Sequence, residues 1–324
     1  MKNITRYFLL YTLLIGPTLG GAEFLYAQAS TFPLEGFVGI PRIYNTGVRS
    51  LSLGEAGVAD PSHYTSFTDN PALLSFASHK SSINISGYQN WENNILEYGL
   101  TPPAFSLGSL TGVFRFGYFH TGLSEINPID NSIIAEPNLE MYQMDAGYSL
   151  AINSVFSIGV LHNLTYANNE TAQYWTYSAN SGFFYDPIGP TSYGIVVRGL
   201  GRSVKYSFIE DGTTILGSHN IPISVDLGAS IRFPKDKEES VFILSLSNLK
   251  RFGESGIWYK GGMEVKPLTY LALRSGVMFH PEYQEYIPRF GIGFDTRRFI
   301  IDYGASPILY DHERFHQIGL TIHF

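Results

Sequence analysis

One stretch of the chain has residue types at a spacing known for metal chemistry: His312, Glu313, Arg314, Phe315 and His316, an H-E-x-x-H run. On a helix that spacing puts both imidazoles on one face, where they can ligate zinc while the glutamate acts as base. Here the run leads into Ile318, Leu320, Ile322 and Phe324, with Gly319, Thr321 and His323 between them. Strict alternation belongs to a strand with one apolar and one polar face. In extended chain two residues four apart stand roughly 13 Å from each other at about 3.3 Å per residue, too far to share an ion. The sequence places no third ligand close by. The run is therefore expected to be loop and strand, without metal or catalytic role. Asp130, Asp211, Glu254, His280 and Glu282 fall in expected outer loops, and their spacing selects no reactive set. With no Cys, no G-x-S-x-G and no phosphate-binding glycine run, neither an enzyme nor a cofactor site is expected.

The elements around these residues point to a membrane barrel. Charged residues make up only 15% of the chain, against about 25% in soluble domains. The mean hydropathy of +0.00 is nevertheless too polar for a bundle of membrane helices. Alternating strands, apolar outside and polar inside, reconcile the two. In residues 223–233, Ile223, Val225, Leu227, Ala229, Ile231 and Phe233 share one face, with Ser224, Asp226, Gly228, Ser230 and Arg232 on the other. Runs of this kind predict strands at 80–88, 94–104, 109–119, 139–150, 154–166, 173–185, 191–199, 221–233, 240–249, 257–266, 269–279, 287–295, 297–306 and 315–324. These fourteen strands have connections that tend to alternate between long and short, the rhythm of a barrel with long outer loops and short periplasmic turns. The fold class expected is all-β: a closed antiparallel transmembrane barrel with an N-terminal plug segment. Tyr and Phe gather near strand ends, as aromatic girdles do at the two interfaces.

Charges at mid-strand positions facing lipid cost about 2–4 kcal/mol each. Arg115, Asp145, Asp226, Arg232, Glu264, Arg274, Asp295, Arg298 and Asp302 are therefore expected to face the lumen and pair there. The domain plan is a signal peptide at 1–29, a plug segment at 30–79 and the barrel at 80–324. Lys2 and Arg6 precede an apolar run from Tyr7 to Ile15, Pro17 interrupts it, and Ala27-Gln28-Ala29 is a small-residue cleavage site. Location in the outer membrane of a Gram-negative-type bacterium follows, after cleavage of the signal. The formal net charge of −7 excludes a general nucleic-acid binder.

Residues 49–77 carry a resemblance. "RSLSLGEAGVA" followed by "DNPALLSF" is similar to the N-terminal signature of FadL-type outer-membrane proteins, and to their PorV/PorQ branch in particular. Arg49, Leu51, Leu53, Gly54, Ala56, Gly57, Val58 and Ala59 match the first half. Asn70, Pro71, Ala72 and Leu73 match the second. "YDPIGPTSYGIVVRGLG" at 185–201, "IPISVDLGASIRFP" at 221–234 and "LSLSNL" at 244–249 also resemble the branch. Glu55 departs from the pattern by standing where these families often have Gly, and Asp69 departs before Asn-Pro. The resemblance implies a fourteen-stranded barrel with a plug, in which Arg49, Gly54, Gly57, Asn70, Pro71 and Ala72 form the plug motif. Gly54 and Gly57 would permit tight turns, and Pro71 would start a short helix capped by Asn70. In PorV/PorQ relatives such a barrel is an accessory or shuttle of type IX protein secretion, with secreted proteins or type IX components as partners. That is the first function expected here. The alternative is a FadL-like passive channel for hydrophobic small molecules such as fatty acids, with a plug shift and a lateral opening. Phe324, an aromatic end on an alternating last strand, resembles the signal read by outer-membrane assembly machinery. Lipid of the outer membrane is a partner under either reading.

Overall fold

The computed structural model describes residues 47–77, 82–90, 95–122, 125–126, 133–135, 138–168, 173–201, 204–210, 213–235, 241–296, 298–306 and 315–324. The expected signal peptide at 1–29, the expected plug residues 30–46 and 78–79, and His312, Glu313 and Arg314 lie outside the described residues.

Fourteen strands form the wall. They are β1 Ser82–Asn90, β2 Ile95–Thr101, β3 Leu110–Gly122, β4 Asn138–Ala151, β5 Phe156–Asn168, β6 Gln173–Tyr185 and β7 Thr191–Gly201. The second half comprises β8 Ser224–Phe233, β9 Phe242–Arg251, β10 Trp258–Leu268, β11 Leu271–His280, β12 Glu285–Asp295, β13 Phe299–Ser306 and β14 Phe315–His323. Each pairs antiparallel with its neighbours in chain order, and β1 closes on β14 from Ser82↔His323 to Asn90↔Phe315. Closure removes the sheet edge, so every strand has a ladder partner on both sides, as a wall immersed in hydrocarbon requires. Each expected strand is present, with ends moved by a few residues.

The two faces are inverted relative to a soluble protein. Leu227, Ile231, Leu246, Leu273, Val277, Ile292, Phe294, Ile301 and Ile318 are exposed on the outside. Arg115, Asp145, Asp226, Arg232, Glu264, Arg274 and Asp302 are buried inside, as their strand phase requires. One of the nine expected lumen charges differs: Arg298 is exposed in the turn before β13, whereas Asp295, half-buried at the end of β12, pairs with the inward Ile300. Arg298 precedes the strand, where alternation does not dictate the side. Outward aromatic contacts form two rows. Tyr118, Tyr142, Tyr166 and Trp175 touch in succession across β3–β6 towards the end with the long connections 123–137 and 202–223. Phe156 with Phe183 and Tyr185 with Tyr193 lie towards the short-turn end.

Residues 47–77 occupy the lumen. They form helix α1 Val48–Ser52 and three 3-10 turns, Gly57–Ala59, Tyr64–Thr68 and Pro71–Ser75. The barrel makes room for their backbone with inward glycines. A Cβ at Gly262 would stand 2.2 Å from the Leu53 carbonyl oxygen, and one at Gly276 would stand 2.2 Å from the Gly54 nitrogen. Their missing side chains make room for the luminal chain. Gly276→Val should leave the barrel folded while expelling residues 48–54, at a cost of about 1–3 kcal/mol. Limited proteolysis checks this: cleavage near residue 50 should appear, with the heat-sensitive compact gel migration of the barrel retained.

Candidate functional site

The luminal segment is bound to the wall by charge. The Arg49 guanidinium donates to Asp60 at 2.6 Å and to Glu264 of β10 at 2.8 Å. Arg274 of β11 donates to the same Glu264 at 2.6 Å and to Asp302 of β13 at 2.5 Å. His63 Nε2 lies 3.4 Å from the second oxygen of Asp302. A second group centres on Asp226, which accepts from Lys260 and, at 3.1 Å, from Arg198; Arg198 also donates to the Asp69 carbonyl at 2.5 Å. Burial alone would lower the Arg49 pKa, and the Asp60 and Glu264 carboxylates more than reverse it. Burial likewise opposes ionisation of Asp60, but Arg49 and a hydrogen bond from Ser62 hold its pKa below the usual carboxylate value. Buried ions in such numbers persist only when paired and hydrogen-bonded.

The motif residues make local geometry. Gly54 has φ +64° and lies against the backbone of Val277 and the Gly261 carbonyl. Glu55, the residue that departs from the family pattern, has φ 59°, the left-handed conformation that Gly adopts most easily. Its carboxylate lies 3.6 Å from Arg289 of β12. Gly57 needs space rather than a positive φ, since a Cβ there would meet the Asp69 carboxylate at 2.5 Å. Asn70 caps the last 3-10 turn by accepting from the Ala72 amide at 3.0 Å, with Pro71 in the first turn. The Asn70 amide donates to the Val58 and Phe183 carbonyls, both at 2.9 Å. The Ala72 carbonyl accepts from Ser149 of β4 and Ser157 of β5. Arg49, Gly54, Gly57, Asn70, Pro71 and Ala72 thus all lie in one buried segment. Phe324 follows β14, 75% exposed, on the same outward face as Ile318.

A break in the wall was missed by sequence reasoning. The expected strand 94–104 ends at Thr101, because Pro102 and Pro103 have no amide to donate to a ladder. The β2–β3 ladder runs from Ile95↔Thr121 to Leu100↔Phe116 and resumes only at Phe105↔Gly112, in the short strand Phe105–Leu107. Val113, Phe114 and Arg115 have no ladder partner on that side. The Tyr64 hydroxyl, reaching from the luminal segment, donates to the Pro102 carbonyl within this break. Behind it Tyr64, Phe67 and Leu74 pack with Val113 of β3 and Leu161 of β5, against Ala104. Phe105 and Phe114, whose rings lie 6.1 Å apart, are exposed on the outside. Two consecutive prolines inside an alternating run were the available signal.

The other sequence candidates do not converge here. His280 is buried, 4.9 Å from the Trp258 ring, with Nε2 3.1 Å from the Ser255 carbonyl; Glu254 pairs with Arg251. His316 lies in β14 and points outward, 2.5 Å from the Tyr303 hydroxyl. Asp130 and Asp211 lie outside the described residues.

Asp69 gives the segment a pH dependence. Its carboxyl accepts from the Ser50 hydroxyl at 2.8 Å, but full burial dominates and pushes its pKa up to about 7. Because the docked state then binds a proton that the released state gives up, docking should weaken as pH rises through about 7. The proton-linked stability is fully present below the ordinary carboxylate value of 3.8 and is lost as pH rises to about 7. Protease accessibility of residues 47–77 should increase between those pH values in the native chain. Asp69→Asn, which stays neutral, should flatten the response.

No protein-family model and no curated protein matches the sequence. Solved structures match the fold. The toluene transporter TodX of Pseudomonas putida is 14% identical with a TM-score of 0.57, over 85% of this chain and 96% of that one. The toluene transporter TbuX of Ralstonia pickettii is 12% identical with a TM-score of 0.59, over 86% and 98%. A FadL homologue of Pseudomonas aeruginosa is 11% identical with a TM-score of 0.56, over 86% and 98%. The fold is the fourteen-stranded barrel that these solved structures share.

Proposed function

We propose that this protein is a passive outer-membrane channel for small hydrophobic molecules, with the luminal segment as its plug and the β2–β3 break as its side exit. One observation carries this reading: the break at Pro102–Pro103 has apolar side chains on both sides. Tyr64, Phe67 and Leu74 stand behind it, and Phe105 and Phe114 stand on the outside. A molecule that leaves the plug at this point passes from one apolar surface to another and does not cross the charged interior. Water and ions have no comparable reason to follow, because the break opens towards hydrocarbon. The solved barrels with this fold include toluene transporters, which favours the channel over the secretion role that the PorV/PorQ resemblance ranks first. Type IX accessory function remains the second reading, supported by that resemblance, which is closer at 185–249 than at 49–77.

The plug must move for the exit to open. Tyr64 both fills the break and bonds its rim, so displacement of the 3-10 turn Tyr64–Thr68 clears the route while the barrel stays intact. The chain has no Cys, so an engineered pair can test this cleanly. Ser75 and Ser149 have hydroxyls 2.6 Å apart, one on the plug and one on β4. Replacing both with Cys and oxidising should fix the plug to the wall. Barrel-dependent uptake of toluene into cells with a lipopolysaccharide-covered outer membrane should then fall at least tenfold and recover on reduction. Undiminished uptake in the oxidised form would reject the plug movement. A secretion defect in the deletion strain, with toluene uptake unchanged, would favour the second reading.

A further inference from the structure

The outward face of β4–β6 holds a polar cluster where hydrocarbon is expected. Along β5 the outward residues are Ile158, Val160, His162, Leu164 and Tyr166, alternating with the buried, inward Ser157, Leu161, Asn163 and Thr165. His162 Nε2 lies 2.5 Å from the Tyr148 hydroxyl of β4, and Nδ1 lies 2.7 Å from the Tyr177 hydroxyl of β6. Tyr142, Tyr166 and Trp175 lie on the long-loop side of the cluster, and Phe156, Phe183 and Tyr185 on the short-turn side. These rows mark the two interfaces, which places the cluster at hydrocarbon depth. Ionisable side chains at that depth are costly and mark functional sites more often than structural ones. Three apolar side chains would cover the same patch of sheet without the cost.

The cluster is beside the wall break. Ala146 of β4 pairs with His162 on one side and with Phe114 on the other. Tyr148 pairs across to Gly112, and the Phe105 ring occupies the space a Gly112 side chain would fill. Two ladder steps of about 4.8 Å therefore put His162 roughly 10 Å from the outer lip of the break. Hydrogen-bond capacity remains at the far end. If Tyr177 donates to Nδ1, its oxygen keeps lone pairs; if it accepts from Nδ1–H, it keeps its own hydrogen. In either tautomer it can bond one further hydroxyl or carboxyl.

We propose that Tyr148, His162 and Tyr177 receive the polar end of an amphiphilic substrate as it leaves through the break. The class is a hydroxyl or a protonated carboxylic acid on an aromatic or alkyl body. The body stays in lipid against Phe105 and Phe114, while the head replaces lost water with the Tyr177–His162 network. An unsubstituted hydrocarbon gains nothing from the cluster. This inference rests on the channel reading and narrows it, since it predicts discrimination by head group rather than by size.

The test compares 4-propylphenol with propylbenzene, matched in body and differing by one hydroxyl, as barrel-dependent uptake by cells whose lipopolysaccharide-covered outer membrane carries the full barrel, with cells lacking it as baseline. Tyr177→Phe and His162→Phe are assayed, with heat-sensitive gel migration certifying that each is folded. Loss of one hydrogen bond at this depth should slow propylphenol entry about tenfold. Propylbenzene entry should be unchanged in the same proteins. An equal loss for both probes, or no loss for either, would overturn the proposal while leaving the channel reading intact. If the native barrel admits neither probe, both fail together, and the native control alone reveals it.

Discussion

A closed sheet in hydrocarbon must satisfy all of its inward charge from within. Here that constraint falls on Arg49, which joins Asp60 of the luminal segment to Glu264 of the wall, while Arg274 extends the chain of ions to Asp302. Remove the segment and Glu264 loses one of its two cations. Asp226 keeps Lys260 and Arg198, but Arg198 loses the Asp69 carbonyl. The segment is therefore part of the electrostatic structure of the barrel. Glycines at 262 and 276 let it approach closely enough for those bonds to form.

The same packing separates two regions of the segment. Residues 48–60 are held by ions and by backbone contact with β10–β13. Residues 64–75 are held by apolar packing, by hydrogen bonds from serine hydroxyls and Arg198 and from Asn70 to the wall, and by Tyr64 at the break. Among the described residues the second region has no side-chain ion pair to the wall, and it is the one placed at the break. Asp69, within the second region, is a buried carboxyl partnered by a hydroxyl rather than by a direct cation contact. An exit served by that part of the segment does not require the ionic half to dissociate.

Much of this was legible in the sequence, for physical reasons. Alternation with period two, as in 223–233, fixes which residues face lipid, and the cost of a lipid-facing charge fixes where Arg232 and Asp226 point. The cap at Asn70 and the proline after it were legible because caps are local. The turn at Gly54 was legible because φ > 0 favours Gly. What the sequence did not reveal depends on contacts between distant segments. Ion pairing of Arg49 with Glu264 spans most of the chain. The break needed Pro102 and Pro103 to be weighed as ladder breakers inside a run that otherwise alternates. His162 reads as one outward residue until Tyr148 and Tyr177 are placed on its neighbours. The branch within the resemblance is less legible for a related reason, because short motifs in a luminal segment report how it packs and say little about what passes it.

The most direct measurement is uptake by cells whose lipopolysaccharide-covered outer membrane carries the native barrel, against the same cells without it, comparing toluene with a sugar of similar size. Selective entry of toluene, without energy input and saturating weakly, is the result expected of an apolar side exit guarded by a plug. Entry of the sugar, or of neither solute, would contradict the account.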